Sequence, residues 1–250
     1  MLENRFEYIE KVIQMLSVVN ELEKDTLQKG SEIMAQTIQK GNSIFVFGAS
    51  HAGIIAEESY FRAGGLVVFN PIFAKGLLLD NVPITVTSEM ERLEGYGKII
   101  IDKSDIKSGD CLIVHSVSGR NPVSIEVAMT AKAKGATVIC ITNLSYSKSV
   151  TSRYSKGVKL YEVSDLVIDN HGDIGDAAIE ICDTGIRAGA TSTVIGAAIL
   201  NTLATETIKI MHKAGIKILP VFYSANLDGG EEKNKKVVET YKNQIHYRFD

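Results

Sequence analysis

The feature that most constrains this chain is a set of short apolar runs that do not alternate with polar residues. Ser43-Ile-Phe-Val-Phe47, Leu66-Val-Val-Phe69, Cys111-Leu-Ile-Val-His115, Thr137-Val-Ile-Cys-Ile-Thr142 and Leu166-Val-Ile168 are continuous and rich in β-branched residues. A strand with one wet face alternates; a strand covered on both faces has no need to. Between these runs lie stretches of helical character: Ala52 to Arg62, about Glu89 to Ile101, and one that opens at Pro122 and ends near Gly135. Such alternation predicts a parallel sheet with helices on both faces, a three-layer α/β domain.

Residues 1–42 read as helices ahead of that domain, and 43–250 as the domain with its C-terminal helices. In the first helix Leu2, Phe6, Ile9, Ile13 and Leu16 form one seam, and Tyr8, Val12, Met15, Val19 and Leu22 form a second beside it. Two adjoining seams make an apolar face wider than one packing stripe needs. The helix is therefore expected to pack partly on its own domain and partly on a second copy, in a homodimer or homotetramer. A shorter helix, Ser31 to Gln39, stops at Gly41, and a charged helix from Glu231 to Asn243 closes the chain.

Composition narrows the function classes. Lys plus Arg number 27 and Asp plus Glu 30, a net charge of −3, so nothing points to nucleic acid or an anionic membrane as partner. Three cysteines cannot all pair, which argues for a reducing cytoplasm rather than a disulfide framework. Charges at Glu3, Arg5, Glu7, Glu10 and Lys11, with no apolar run after them, argue against a secretory signal. The 18 uncharged residues between Arg187 and Glu206 approach a membrane span in length. They include Thr191, Ser192, Thr193, Asn201, Thr202 and Thr205, so a buried helix of the domain is the better reading.

Ligands of open parallel sheets bind at the carboxyl ends of the strands. Three segments there are rich in glycine or hydroxyls: Gly48-Ala-Ser-His51, Ser116-Val-Ser-Gly-Arg-Asn121, and Thr191-Ser-Thr193 at the start of the uncharged helix. Each alone is explained by helix capping. Together they suit a phosphate, which helix N-termini attract through unpaired N–H groups and the helix dipole. No cofactor is expected: the chain has no G-x-x-x-x-G-K-[ST], no G-x-G-x-x-G after the first strand, and neither paired C-x-x-C nor H-E-x-x-H for zinc. The turn Asn170-His-Gly-Asp173 with Asp176 reads as polar turn chemistry rather than a metal site.

These residues carry a resemblance. Gly48-Ala-Ser-His51, Ser116-Val-Ser-Gly119 and Thr191-Ser-Thr193 in this order resemble the sugar isomerase (SIS) domain. Ser50-His51 followed by Ala56-Glu-Glu58 is similar to the phosphoheptose isomerases. Glu91-Arg-Leu-Glu-Gly95 and Ser224-Ala-Asn-Leu-Asp-Gly-Gly230 resemble a bacterial family of SIS proteins. The resemblance implies a flavodoxin-like five-stranded parallel sheet. It implies that Ser50, Ser116, Ser118, Thr191, Ser192 and Thr193 hold the phosphate of a sugar phosphate. Two departures stand out: Arg120-Asn121 follows S-x-S-G where many members have a small hydroxyl residue, and the late helix lacks the histidine of phosphoheptose isomerases.

Isomerisation next to a sugar carbonyl needs a base that moves a proton from carbon. By the phosphoheptose isomerase match that base is Glu58, with Glu57 next; His51, on the phosphate loop, is placed to bind a sugar hydroxyl or to assist ring opening. Gly48, Asn226 and Asp228 are candidates for holding the sugar. Glu91 reads better as a surface helix position, and His171 as a turn residue. The expected activity is aldose–ketose isomerisation. An etherase-like lyase acting on N-acetylmuramic acid 6-phosphate and a non-catalytic phosphosugar sensor are the alternatives.

Overall fold

The computed structural model describes residues 6–249. The apolar runs form β1 (Ile44–Gly48), β3 (Cys111–His115), β4 (Thr137–Thr142) and β5 (Leu166–Asp169), with β2 at Phe69–Pro71. They join into one sheet of order β2-β1-β3-β4-β5, and every pair is parallel. The strand expected at Leu66–Phe69 thus begins three residues late. Its apolar part is buried but bonds to the tail instead: Leu66 bridges Val221, and Val67 N–H donates to the Pro220 carbonyl at 2.9 Å.

The missing alternation has its predicted cause. Along β3, Cys111 and Ile113 enter one apolar layer with Met34, Ile38, Ile199 and Leu203, while Leu112 and Val114 enter the other with Ile125 and Val127. The first layer is covered by α1 (Glu7–Leu22), α2 (Lys24–Gln39), α3 (Ile54–Ser59), α9 (Ser192–Lys213) and α10 (Gly230–Tyr241); the second by α5 (Tyr96–Asp102), α6 (Pro122–Ala133) and α8 (Leu160–Val163). Each face excludes water, so most residues of these strands are buried whichever way they point. Cys111 and Cys140 lie inside, where burial pushes both thiols up to about 12, and Cys182 is exposed; all three are free.

The uncharged helix is a core element. Among the described residues α9 alone is long and apolar enough to cross a membrane. Its buried residues Ile199, Leu203 and Ala204 lie in the same layer as Met34 and Ala35 of α2, and Thr207 Oγ1 donates to the Ser31 carbonyl at 3.3 Å. Asn201, Thr202 and Thr205 spend their donors on carbonyls of their own helix, as polar side chains on a helix surface commonly do.

Of the two seams of α1, Met15 and Val19 are buried and Val12 and Leu16 pack beside them. Phe6, Ile9, Ile13 and Leu22 remain 76%, 54%, 58% and 62% exposed. Leu2 lies outside the described residues.

The helix expected at Glu89–Ile101 is two helices, α4 (Thr85–Arg92) and α5, separated at Leu93–Gly95. Gly95 adopts φ +87°, and the Glu126 carboxylate of α6 accepts from its N–H at 2.7 and 2.9 Å and from Gly97 N–H at 3.1 Å. That buried carboxylate starts a new helix where periodicity suggested a continuous one. Ala52–Arg62 likewise shortens to a tight turn at Ser50–Gly53 followed by α3. A small hairpin, β6 (Ile179–Glu180) with β7 (Arg187–Ala188), was not readable from the sequence.

Candidate active site

Strand order fixes where a ligand can sit. With β1 between β2 and β3, the connections leaving β1 and β3 diverge to opposite sides, to α3 and α6, and a crevice opens at the carboxyl ends of these two strands. Gly48 pairs with His115 at the last rung, so the two following loops leave the sheet side by side. Gly48 permits the first loop to fold back: a methyl group there would stand 2.2 Å from the Ala52 carbonyl oxygen. Its role is thus in the backbone. Ser50 takes φ +51°, a left-handed conformation that non-glycine residues hold only where surrounding structure imposes it.

The crevice is a cavity of about 280 Å³. Ser50, Ser116, Ser118 and Ser124 turn four serines onto its lining, with His51, Asn121 and Glu91 beside them. Helix α6 begins at Pro122 with no side chain capping it, so its first N–H groups and its dipole are available at the cavity wall. The loops after β1 and β3 therefore meet as the sequence suggested. Ser124 was missed; it sits two residues beyond Pro122 in the first turn of α6, where a hydroxyl beside a helix start was the available signal.

Glu91 is the main correction. Its helical sequence context suggests a surface position, yet it lines the cavity. Its Oε1 accepts from Ser50 Oγ at 2.6 Å and its Oε2 from Asn121 Nδ2 at 2.6 Å. The break at Leu93–Gly95 ends α4 one residue after it, so the carboxylate is carried to the crevice on a short helix of its own.

The third helix start behaves differently. Thr191 and Ser192 are buried, and their donors are taken by Asp176: Thr191 N–H at 3.1 Å, Ser192 N–H at 2.9 Å and Ser192 Oγ at 2.5 Å. Asp176 lines the cavity, so α9 meets the crevice through that carboxylate. Thr193 is half-buried in the next position.

Other candidates lie elsewhere. Glu57 lines a separate depression with Tyr60, Phe73 and Leu78. Glu58 pairs with Arg62, four residues on and past the end of α3, both more than a third exposed. Asn226 lines a larger, mostly apolar cavity of about 600 Å³ with Phe61, Phe222 and Phe249, away from the serine loops. Asp228 is exposed, and the residue preceding α10 is Gly229, so Asp228 does not cap it. His171 bonds through Nε2 to Glu23 Oε1 at 2.9 Å, tying the loop after β5 to the joint between α1 and α2.

His115 was overlooked as well, hidden at the end of an apolar strand. It is fully buried, and burial holds its imidazole below the usual range, hence neutral. Nδ1 lies 3.0 Å from the Ala52 carbonyl and so carries the proton; Nε2 has no partner. His115 thereby pins the Ser50–Gly53 turn to the end of β3.

Residues 7–143 match the SIS domain, more than half the chain. The chain belongs to the SIS-domain family. The match runs from α1 to the end of β4 and includes both serine loops, α3 and α4; Asp176 and α9 fall beyond it. The UPF0309 protein of Shouchella clausii is 50% identical over 241 residues, 96% of this chain and 98% of that protein. That of Streptomyces coelicolor is 33% identical over 243 residues, 97% and 96% of the two chains. Among solved structures, the phosphoheptose isomerase of Francisella tularensis gives a TM-score of 0.52 at 15% identity, over 80% of this chain and 94% of the other. That of Neisseria gonorrhoeae gives 0.52 at 13%, over 82% and 95%. At such identity the SIS likeness is one of fold.

Proposed function

We propose that the chain binds a phosphorylated sugar and isomerises it between aldose and ketose. The observation that carries this reading is the Glu91 carboxylate, held by Ser50 and Asn121 in a cavity also lined by Ser116, Ser118, Ser124 and an uncapped helix start. Ser116, Ser118 and Ser124 with the first N–H groups of α6 suit the phosphate, with Ser50 at the same rim. The phosphoheptose isomerase names of the structural neighbours support the substrate class.

A base must come within about 3 Å of the proton it takes, directly or through one water. Glu91, on the cavity lining, is the carboxylate suited to that role for a sugar bound there. It takes the proton from C2 of the open-chain aldose, leaving a cis-enediol, and returns it to C1, while a hydroxyl proton passes from O2 to O1. His51 at the rim is suited to that second transfer. The resemblance to phosphoheptose isomerases favours Glu58 or Glu57 instead. Both sit on α3, just past the Ser50 loop and outside the lining of the serine cavity, so either would act at a site completed by a second copy of the chain. The exposed seam of α1 supports such a homo-oligomer.

Two measurements test this. Sugar phosphates should raise the melting temperature where the parent sugars do not, because only a ligand of the native state stabilises it. Solvent deuterium should enter the best-bound sugar phosphate, and Glu91→Gln should slow that entry by roughly 100-fold while binding survives. Equal melting shifts from both sugar classes overturn the phosphate site. Absence of exchange makes the chain a binder rather than an isomerase, and loss of exchange only in Glu58→Gln returns the base to α3.

A further inference from the structure

Three arginines beside the cavity have no part in the mechanism above. Arg92 follows Glu91 at the end of α4, Arg120 follows Gly119 in the second serine loop, and Arg153 lies between α7 (Leu144–Ser149) and α8. Hydrogen bonds join Arg120 and Arg153, and Arg92 is near enough to repel Arg153. Arg153 N–H donates to the Arg120 carbonyl at 2.9 Å, and Arg153 Nη1 donates to Asn121 Oδ1 at 3.0 Å. Asn121 holds Glu91 with its other end, so Arg153 stands one side chain behind the cavity carboxylate. Glu94 fixes the same segment to the turn between α4 and α5, accepting from Ser155 N–H at 2.6 Å and Ser155 Oγ at 2.7 Å.

The cluster is poorly compensated. Among the described residues none of the three arginines enters an ion pair. Arg120 Nε is buried without a partner, and Arg120 Nη2 reaches only Thr151 Oγ1, at 3.3 Å. Burial, then repulsion from Arg120 and Arg92, holds the Arg153 guanidinium below its usual range. Three guanidiniums against the two carboxylates of Glu91 and Glu94 leave a local positive excess. The cavity lining has the opposite balance, with Glu91 and Asp176 and neither lysine nor arginine.

We infer that Arg92, Arg120 and Arg153 form a second anion subsite, so that the sugar phosphate taken by this chain carries another negative group, a carboxylate or a second phosphate. The inference rests on the phosphosugar reading and names its substrate class. Guanidiniums suit both anions, since their paired N–H donors match two oxygens of either. The ligand's second anion supplies the missing counter-charge and the acceptor for Arg120 Nε, and Asn121 passes from Glu91 to the ligand, leaving that carboxylate free to act.

The test is calorimetric titration of the full chain with glucose-6-phosphate, 6-phosphogluconate and fructose-1,6-bisphosphate at fixed ionic strength. At least one doubly anionic ligand should bind about tenfold or more tightly than the monophosphate. Which of the two does so separates a carboxylate subsite from a phosphate one. In Arg153→Gln and Arg92→Gln that advantage should disappear with monophosphate affinity unchanged. If the monophosphate binds as tightly as both others, the subsite is refuted while the phosphosugar reading stands. If the variants weaken all three ligands equally, the arginines serve the first phosphate and the inference also fails. If none of the three binds and inorganic phosphate does not either, the phosphosugar reading itself is lost. Unchanged circular dichroism and melting temperature in the variants exclude misfolding as the cause.

Discussion

Asp176 Oδ2 accepts a 2.5 Å hydrogen bond from the Ser192 hydroxyl at the first turn of α9. This carboxylate also takes the N–H groups of Thr191 and Ser192, which places negative charge at the positive end of a 22-residue helix. Asp176→Ala should therefore cost about 1–2 kcal/mol of stability in denaturant titration. The same change removes one of two carboxylates from the cavity lining, so inorganic phosphate should bind several-fold more tightly. Opposite signs for stability and anion affinity are the signature; a fall in both would mean that Asp176 positions the ligand.

Gly48→Ala addresses the turn that presents Ser50. A methyl group 2.2 Å from the Ala52 carbonyl forces the loop to shift. The expected cost is on the order of 2–4 kcal/mol, with loss of sugar phosphate binding. A melting temperature unchanged from wild type would show that the turn relaxes freely.

The layered fold was legible because burial on both faces leaves a direct mark, the continuous apolar runs Ile44–Phe47, Cys111–Val114 and Val138–Ile141 in β1, β3 and β4. The two serine loops followed from it, since strand ends and hydroxyls are both local features. Glu91 was not legible. Its placement depends on Glu126, 35 residues away, drawing the N–H groups of Gly95 and Gly97 and ending one helix early. The Asp176 contact with α9 was hidden for a similar reason: a turn residue and a helix start meet only in three dimensions. The β2 shift was invisible because the tail segment at Pro220–Val221 competes for the same backbone groups.

Acid should weaken the fold through His115. Burial pushes its imidazole below the usual value near 6.5, whereas the unfolded chain titrates at that value. Below about pH 6.5 the unfolded chain therefore binds a proton that the folded chain refuses. Stability is full above that pH and declines as pH falls towards the folded value, by up to about 1.4 kcal/mol per unit. His246, held low mainly by burial, acts in the same direction. His115→Asn keeps a donor for the Ala52 carbonyl and removes the titration, so its stability should depend less steeply on pH in a denaturation series. An unaltered slope would assign the acid sensitivity elsewhere.

The exposed seam of α1 predicts assembly. Phe6, Ile9 and Ile13 form an apolar surface of a kind that soluble proteins usually cover. Light scattering at micromolar concentration should give at least twice the chain mass of 27.2 kDa. Ile9→Glu with Ile13→Glu should lower that mass with little loss of secondary structure. A monomeric wild type would sink the prediction.

The three cysteines are unequal in a way that experiments can use. Two lie in the sheet with thiols raised to about 12, out of reach of alkylating reagents at neutral pH, and the third stands exposed between β6 and β7. A maleimide dye or nitroxide applied to the native, unmutated chain would therefore attach at Cys182 alone. Each copy in an assembly would then carry one reporter at the same point, and the reporter-to-reporter distance would map how the copies are arranged without an engineered residue.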